Sequence, residues 1–283
     1  MTSGFRDLQA PRNQKEAYKI DKDRWIEAEL AELKVLKDRN TWDLVVLPDG
    51  KKVVGSRFTY SVKMTGDGEW YKDKARFIVQ GFTMVAGEDY TETWAAVARL
   101  ESIRMTAAFA AAYRLVPWQI DFTSAYLNSK IKEEVYLKQL SGHKEAGKED
   151  LVCRLNKALY GTKQGAHEWW NKLNRGYDGL GYYTSKADPC VCMKWNDDGS
   201  LTITNTYMDD VFGASSNAAL AQIAKEEIGR CYKIKDVEIQ KLLRLEVVWD
   251  ASSGELSFLQ EKYILSFIAE YGLQSITPRN IDI

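Results

Sequence analysis

A β-rich run, Leu201-Thr-Ile-Thr-Asn-Thr-Tyr207, passes through Met208-Asp209-Asp210 and resumes in Val211-Phe212-Gly213. Two strands separated by so short a step form an antiparallel hairpin, which puts the adjacent carboxylates at a tight turn. Side chains alternate between faces along a strand. A turn breaks that alternation and lets two carboxylates serve one site. Hard divalent cations prefer oxygen ligands and bind through one or two carboxylates plus substrate phosphates. Two such ions, about 3.5–4 Å apart, clamp the attacking and leaving oxygens of a phosphoryl transfer. Acidic residues also favour turns for local reasons, so the pair alone leaves a plain turn open as a reading.

A third carboxylate stands in a similar setting. Asp121 closes the run Leu115-Val-Pro-Trp-Gln-Ile-Asp121 and is followed by Phe122-Thr-Ser-Ala-Tyr126-Leu127. An acid at the end of an apolar strand is costly to bury unless it is paired or binds a cation. The competing reading is a helix cap, with Asp121 or Ser124 starting a helix through Ala125 and Leu127.

The ordered series of motifs around these acids resembles the reverse transcriptase of copia-type long-terminal-repeat retrotransposons. The series begins at Trp25-Ile-Glu-Ala-Glu-Leu and Asn40-Thr-Trp42. It continues through Tyr71-Lys-Asp-Lys-Ala-Arg76, Gly81-Phe-Thr83, Gly87-Glu-Asp-Tyr90, Gln119-Ile-Asp121 and Ser124-Ala-Tyr-Leu-Asn128. Leu159-Tyr-Gly161, Lys163-Gln164, Ser185-Lys-Ala-Asp188, Tyr207-Met-Asp-Asp210 and Thr277-Pro278 complete it. The resemblance spans residues 20–280, and its order is far more specific than any single piece.

That resemblance implies an α+β right-hand polymerase fold, with an antiparallel palm sheet backed by helices, fingers and a truncated thumb. Residues 1–19 are expected to be a flexible N-terminal segment. Fingers occupy 20–97 and 130–168, the palm 98–129 and 169–254, and the start of a thumb 255–283. It also implies the function: an RNA-directed DNA polymerase that extends a primer on an RNA or DNA template with deoxynucleoside triphosphates, using two Mg²⁺ or Mn²⁺ ions. Asp121 and Asp209 would hold both metals, with Asp210 supporting them. Such chemistry rests on alignment and charge stabilisation. Lys63 and Arg76 would meet the triphosphate, where an Arg fork suits phosphate. Tyr126, five residues after Asp121, would lie under the incoming sugar and reject a 2′-hydroxyl. Gln164 and Gly165 would pack against the nucleotide and template base. Tyr207, Met208 and Arg244 would border the primer terminus. A remaining polyprotein with ribonuclease H and integrase regions, or a homodimer, is the expected larger assembly.

Three departures from the family pattern stand out. Arg244 replaces a glycine in Leu243-Arg-Leu245, a proline is missing from Trp94-Ala-Ala-Val97, and Leu140-Ser-Gly142 replaces Pro-Glu-Gly. They motivate an alternative, a decayed or domesticated polymerase fold acting as a nucleic-acid-binding or structural module. A metal-dependent nuclease built on the same carboxylates is a third reading. Primer extension on RNA separates incorporation, binding alone and template degradation.

Composition sets outer limits. A chain of 283 residues with 45% hydrophobic residues carries one large domain or two to three intertwined subdomains. The longest mostly apolar stretch, Met105 to Val116, is interrupted by Arg114 and too short for the roughly 20 residues of a membrane span. The sequence shows no signal peptide. Four cysteines without a disulfide framework suit an intracellular, cytoplasmic setting, with virus-like particles implied by the family. Cys190-Val-Cys192 with His143 and His167 matches no standard zinc spacing. Net charge is −1, low for a nucleic-acid enzyme, so basic residues must be clustered locally if this chain is one.

Periodicity predicts helices over Ile20 to Lys37, Arg99 to Arg114, Thr162 to Gly176, Ala218 to Arg230 and Lys262 to Tyr271. Strands are expected at Lys52 to Lys63, Ala75 to Gln80 and Glu255 to Leu259, with Met64 to Glu69 as a hairpin loop.

Overall fold

The computed structural model describes residues 9–65, 69–239, 241–242 and 245–275. Residues 1–8, the loop tip 66–68, Arg244 and the Thr277-Pro278 motif lie outside the described residues. The architecture is mixed α+β, with several sheets and, among the described residues, five α-helices. Contacts divide the chain into two compact units, 1–96 with 124–175 and 97–123 with 176–283.

The first unit is organised by a long hairpin, Ser56–Met64 against Trp70–Val79. Register pairs Phe58 with Phe77 and Tyr60 with Ala75. These residues and Val79 are buried while their neighbours are not, the period-2 pattern of a half-buried sheet. That face packs on the helix Gln14–Asp38, where the Trp25 ring meets Tyr60 edge-on at 5.2 Å. The helix starts six residues earlier than periodicity suggests. Asn13 caps it by accepting from Glu16 N at 3.0 Å, and Asp21 interrupts it with extended φ/ψ of −162° and 98°. Asp21 then accepts from Arg24 N at 3.1 Å, so the second segment carries its own cap. Arg24 in turn forms a 2.5 Å ion pair with Asp73 of the hairpin.

A fully buried carboxylate, Glu29, sits beneath the hairpin. It accepts from Tyr18 Oη at 2.8 Å and from Tyr60 Oη, and meets His143 Nε2 at 2.6 Å. Burial, reinforced by that carboxylate, pushes the Tyr18 hydroxyl up to about 12. A second sheet takes the order Trp42–Val45, Val152–Leu155, Tyr136–Leu137, Val53–Val54. The predicted strand from Lys52 to Lys63 is thus two strands serving two sheets. Gly55 separates them, and Gln80 N donates to its carbonyl at 2.8 Å. Gly161, at φ +90°, lies so close to the hairpin that an added Cβ would fall 2.1 Å from Val79 O.

The second unit is built on a six-stranded antiparallel sheet in the order Ile234–Val237, Val116–Phe122, Asp210–Ser215, Leu201–Tyr207, Val191–Trp195, Tyr183–Thr184. The helices Leu100–Ala112 and Ala218–Cys231 pack against it. A three-stranded sheet, Lys241–Leu242, Leu245–Asp250 and Glu255–Leu259, precedes the helix Glu261–Glu270. Gly213 pairs with Trp118, and the indole occupies the space a Cβ would need, 2.2 Å away. The helix Leu100–Ala112 has no local side-chain cap. Buried Asp188 supplies one from far along the chain, accepting from Ser102 Oγ at 2.6 Å, Arg99 N at 3.1 Å and Cys190 N at 3.0 Å. Burial alone would raise its pKa, but these hydrogen bonds win and hold it below the ordinary value.

Candidate active site

The acids predicted at a turn are at a turn. Tyr207 pairs with Asp210, leaving Met208 and Asp209 as the two-residue connection. A two-residue hairpin loop needs positive φ at one or both central positions. Met208 meets that need at φ 56°, an unusual conformation for a side chain of its size. Such conformations cost about 1–2 kcal/mol and cluster at functional sites. The strand Val116–Phe122 lies directly alongside, with Asp121 opposite Asp210 in register. Phe122 N donates to Asp209 O at 2.7 Å, which ties the turn to that strand. Three acids separated by almost ninety residues of chain are therefore gathered on one sheet. Asp121 is part of a strand rather than a helix cap. Ser124, at φ 54°, precedes a short 3-10 turn over Ala125–Asn128 without capping it.

The electrostatics follow from this packing. Burial, then the charges of Asp209 and Asp121, push the Asp210 carboxyl up to about 6, against a weaker opposing hydrogen bond from Gln119. Among the described residues no three Asp, Glu, His or Cys side chains form a ready-made cation cage. The donor set nevertheless fits a hard divalent ion, which is commonly held by one or two carboxylates and completed by substrate phosphate and water. Mutually repelling, all-oxygen donors are relieved when such an ion binds.

The residues expected to meet the nucleotide belong to the first unit. Lys63 is exposed on the hairpin, opposite Lys72, at a register shift. Arg76 and Tyr126 are brought together through Tyr160. The Arg76 guanidinium lies over the Tyr160 ring at 4.4 Å, and Tyr126 stacks on that ring, centroid to centroid, at 4.4 Å. Sequence reasoning assigned no role to Tyr160, although its Leu159-Tyr-Gly161 motif was visible. Gln164 is 1% exposed and donates from Nε2 to Asp89 O at 2.9 Å and Glu133 Oε2 at 3.2 Å. Its buried Oε1 has no hydrogen-bond partner among the described residues. Gly165 opens the helix Gly165–Gly179, and a Cβ there would sit 2.5 Å from Thr162 Oγ1. Tyr207 is half-buried and Met208 exposed at the turn, while Arg244 lies outside the described residues.

Comparison with known proteins decides what this arrangement belongs to. A family model described as reverse transcriptase (RNA-dependent DNA polymerase) matches residues 39–283. The chain belongs to the reverse transcriptase family. It is 30% identical over 259 residues to the retrovirus-related Pol polyprotein from transposon TNT 1-94 of Nicotiana tabacum, covering 91% of this chain and 20% of that protein. It is 28% identical to the corresponding polyprotein from transposon RE1 of Arabidopsis thaliana, covering 90% of this chain and 17% of that protein. A putative transposon Ty5-1 protein of Saccharomyces cerevisiae is 26% identical over 53% of this chain and 49% of its own length. The chain thus spans about a fifth of the polyproteins it matches. Among the described residues no helix is long and apolar enough to cross a membrane.

Proposed function

We propose that this chain is the polymerising part of a retrotransposon Pol polyprotein, adding deoxynucleotides to a primer on an RNA template. The reading rests chiefly on one observation, the register pairing of Asp121 with Asp210 beside the Asp209 turn in a reverse transcriptase family member. Asp121 and Asp209 would hold two divalent ions, Mg²⁺ or Mn²⁺, with Asp210 supporting them. When bound, the ions neutralise phosphate charge and lower the pKa of the primer 3′-hydroxyl. The protein's own part is alignment. Tyr207 and the left-handed Met208 set the turn under the primer terminus, and Lys63 and Arg76 bind the triphosphate. Tyr126 carries the sugar, and Tyr160, in contact with both, holds Tyr126 and Arg76 in place. Gln164 and Gly165, both buried, support from beneath the segment that packs against the base. Arg244 borders the primer.

The right-hand arrangement, with fingers at 20–97 and 130–168, palm at 98–129 and 169–254, and thumb from 255, is the organisation this role requires. Template, primer and deoxynucleoside triphosphates are the partners, together with the ribonuclease H and integrase parts of a polyprotein or a second copy of the chain. The setting is the cytoplasm, within virus-like particles. Primer extension on an RNA template with Mg²⁺ or Mn²⁺ tests the proposal. Incorporation that Asp209→Asn abolishes supports it, and incorporation that survives this change at the parent rate overturns it.

A further inference from the structure

The first unit carries a cavity of about 550 Å³ that none of the roles above uses. It is lined by Arg39, Lys130, Lys132, Arg154 and Lys157, an unusual concentration of cations on a chain of net charge −1. Its two acids are engaged elsewhere. Glu134 pairs with Lys51 at 2.9 Å, and Glu133 accepts from Thr91 Oγ1 at 2.9 Å and from Gln164. Lys132 and Arg154 have acidic partners, Glu168 at 2.8 Å and Asp43 at 3.8 Å. Among the described residues, Arg39, Lys130 and Lys157 have no carboxylate within ion-pair distance; the Arg39 guanidinium makes a 3.5 Å contact to Asn128 Oδ1.

The backbone forces these charges together. Lys130 and Lys157 face each other across an isolated antiparallel bridge. Like charges directly opposite in such a pair are destabilising. Arg39 terminates the helix Gln14–Asp38, and the adjoining Thr41 carbonyl receives Asn156 N at 2.8 Å and Lys157 N at 3.3 Å. Burial first, then the neighbouring charges of Lys130, Arg39 and Lys172, lower the Lys157 pKa. A fold that holds cations at mutual cost, in a concave site with its acids already engaged, is complementary to an anion of several charges. Arg supplies a planar fork suited to phosphate and Lys a mobile point charge.

We propose that Arg39, Lys130 and Lys157 form a phosphate-binding site separate from the acidic turn and from the residues assigned to the incoming nucleotide. The phosphates come from the backbone of a nucleic-acid strand or from a free polyphosphate. Binding there does not depend on turnover, so it stands or falls apart from the polymerase reading.

The test uses the whole chain and the triple variant Arg39→Gln, Lys130→Gln, Lys157→Gln. Anisotropy of a fluorescein-labelled single-stranded RNA is followed across a salt series, and sodium pyrophosphate is titrated calorimetrically. For a strand, each lost phosphate contact reduces the slope of log affinity against log salt by about 0.7, so the triple variant should be shallower by about 2. An unchanged RNA slope with pyrophosphate binding lost assigns the site to free polyphosphate. RNA slope and pyrophosphate binding both unchanged overturn the proposal. Lys130→Arg with Lys157→Arg should restore the parent behaviour. If the triple variant does not fold by circular dichroism, exposed Lys130→Gln alone carries the test, with an expected slope change of about 0.7 or a severalfold loss of pyrophosphate affinity. Asp209→Asn should leave the salt slope intact, which separates failure of this site from failure of the polymerase reading.

Discussion

Removing one negative charge from the acidic turn should stabilise the ion-free protein, and the size of the effect follows from how the turn is packed. Asp210 is pushed up to about 6 from an ordinary 3.8 by burial and by Asp209 and Asp121. A displacement of that size corresponds to roughly 3 kcal/mol. The site is only half-buried, and solvent screening leaves about 1–2 kcal/mol of it. Unfolded, Asp210 loses its proton near 3.8; folded, it keeps it until about 6. Its stabilising contribution is therefore complete below about pH 4 and is lost as pH rises through 6. Asp210→Asn has no proton to lose. The stability difference between variant and parent should grow from pH 4 to pH 7 and then level at about 1–2 kcal/mol in favour of the variant. Urea denaturation at several pH values with a chelator present measures this difference. A difference that does not change with pH, or a less stable variant at pH 7.5, would refute the proposed origin of the strain. Mg²⁺ at about one hundred times the parent's Kd should reverse the order, because an ion held more tightly by the three-acid parent than by the variant stabilises the folded parent by up to about 2.7 kcal/mol.

Other perturbations reach different parts of the molecule. Tyr126→Val should narrow the ratio of kcat/KM between deoxynucleotides and ribonucleotides, and Tyr160→Ala should do the same by removing the ring that holds Tyr126; unchanged ratios would return both residues to packing roles. Glu29→Ala strands two tyrosine hydroxyls and His143 in the first unit and should cost about 3–5 kcal/mol in denaturant titrations. A loss below 1 kcal/mol would mean the network is not buried as described. Asp188→Ala removes the remote cap of the helix Leu100–Ala112, and its penalty should shrink as pH falls through the depressed pKa of that carboxyl, which a pH series of melts would show. Iodoacetamide should label Cys231 alone in the folded chain, since the other three thiols are buried and burial pushes Cys153 and Cys190 up to about 12; more than one adduct by mass spectrometry would contradict this.

The parts of the fold that could be read from sequence share one trait: their signal is local. The hairpin around Asp209 and Asp210 is written in β-branched residues on both sides of a two-residue step, and it forms there. The helix Ala218–Cys231 and the strand Glu255–Leu259 fall where periodicity puts them, within a residue. What stayed hidden depends on contacts between distant segments. The early start of the helix Gln14–Asp38 owes to Asn13, and its interruption at Asp21 is masked by strong helix formers on both sides. The Arg76–Tyr160–Tyr126 stack joins three segments whose spacing carries no periodic signal. Asp188 as a cap for a helix some ninety residues earlier is invisible for the same reason. The pairing of Asp121 with Asp210 needed a strand neighbour that periodicity alone does not specify; the family resemblance supplied that expectation.

The two crowded glycines carry different evolutionary liabilities. At Gly213 the obstacle is the Trp118 indole, so a lineage can gain a side chain there once position 118 has shrunk, and the two sites should covary among relatives. At Gly161 the obstacle is the Val79 main chain, which every amino acid possesses. No second-site exchange can clear it, and the positive φ adds a further objection. Drift can therefore cross the first constraint, provided position 118 shrinks before position 213 gains a side chain. The second has no compensated path. Loss of that glycine should accordingly mark copies whose first unit no longer folds, a sequence-only signature separate from decay of the acidic turn.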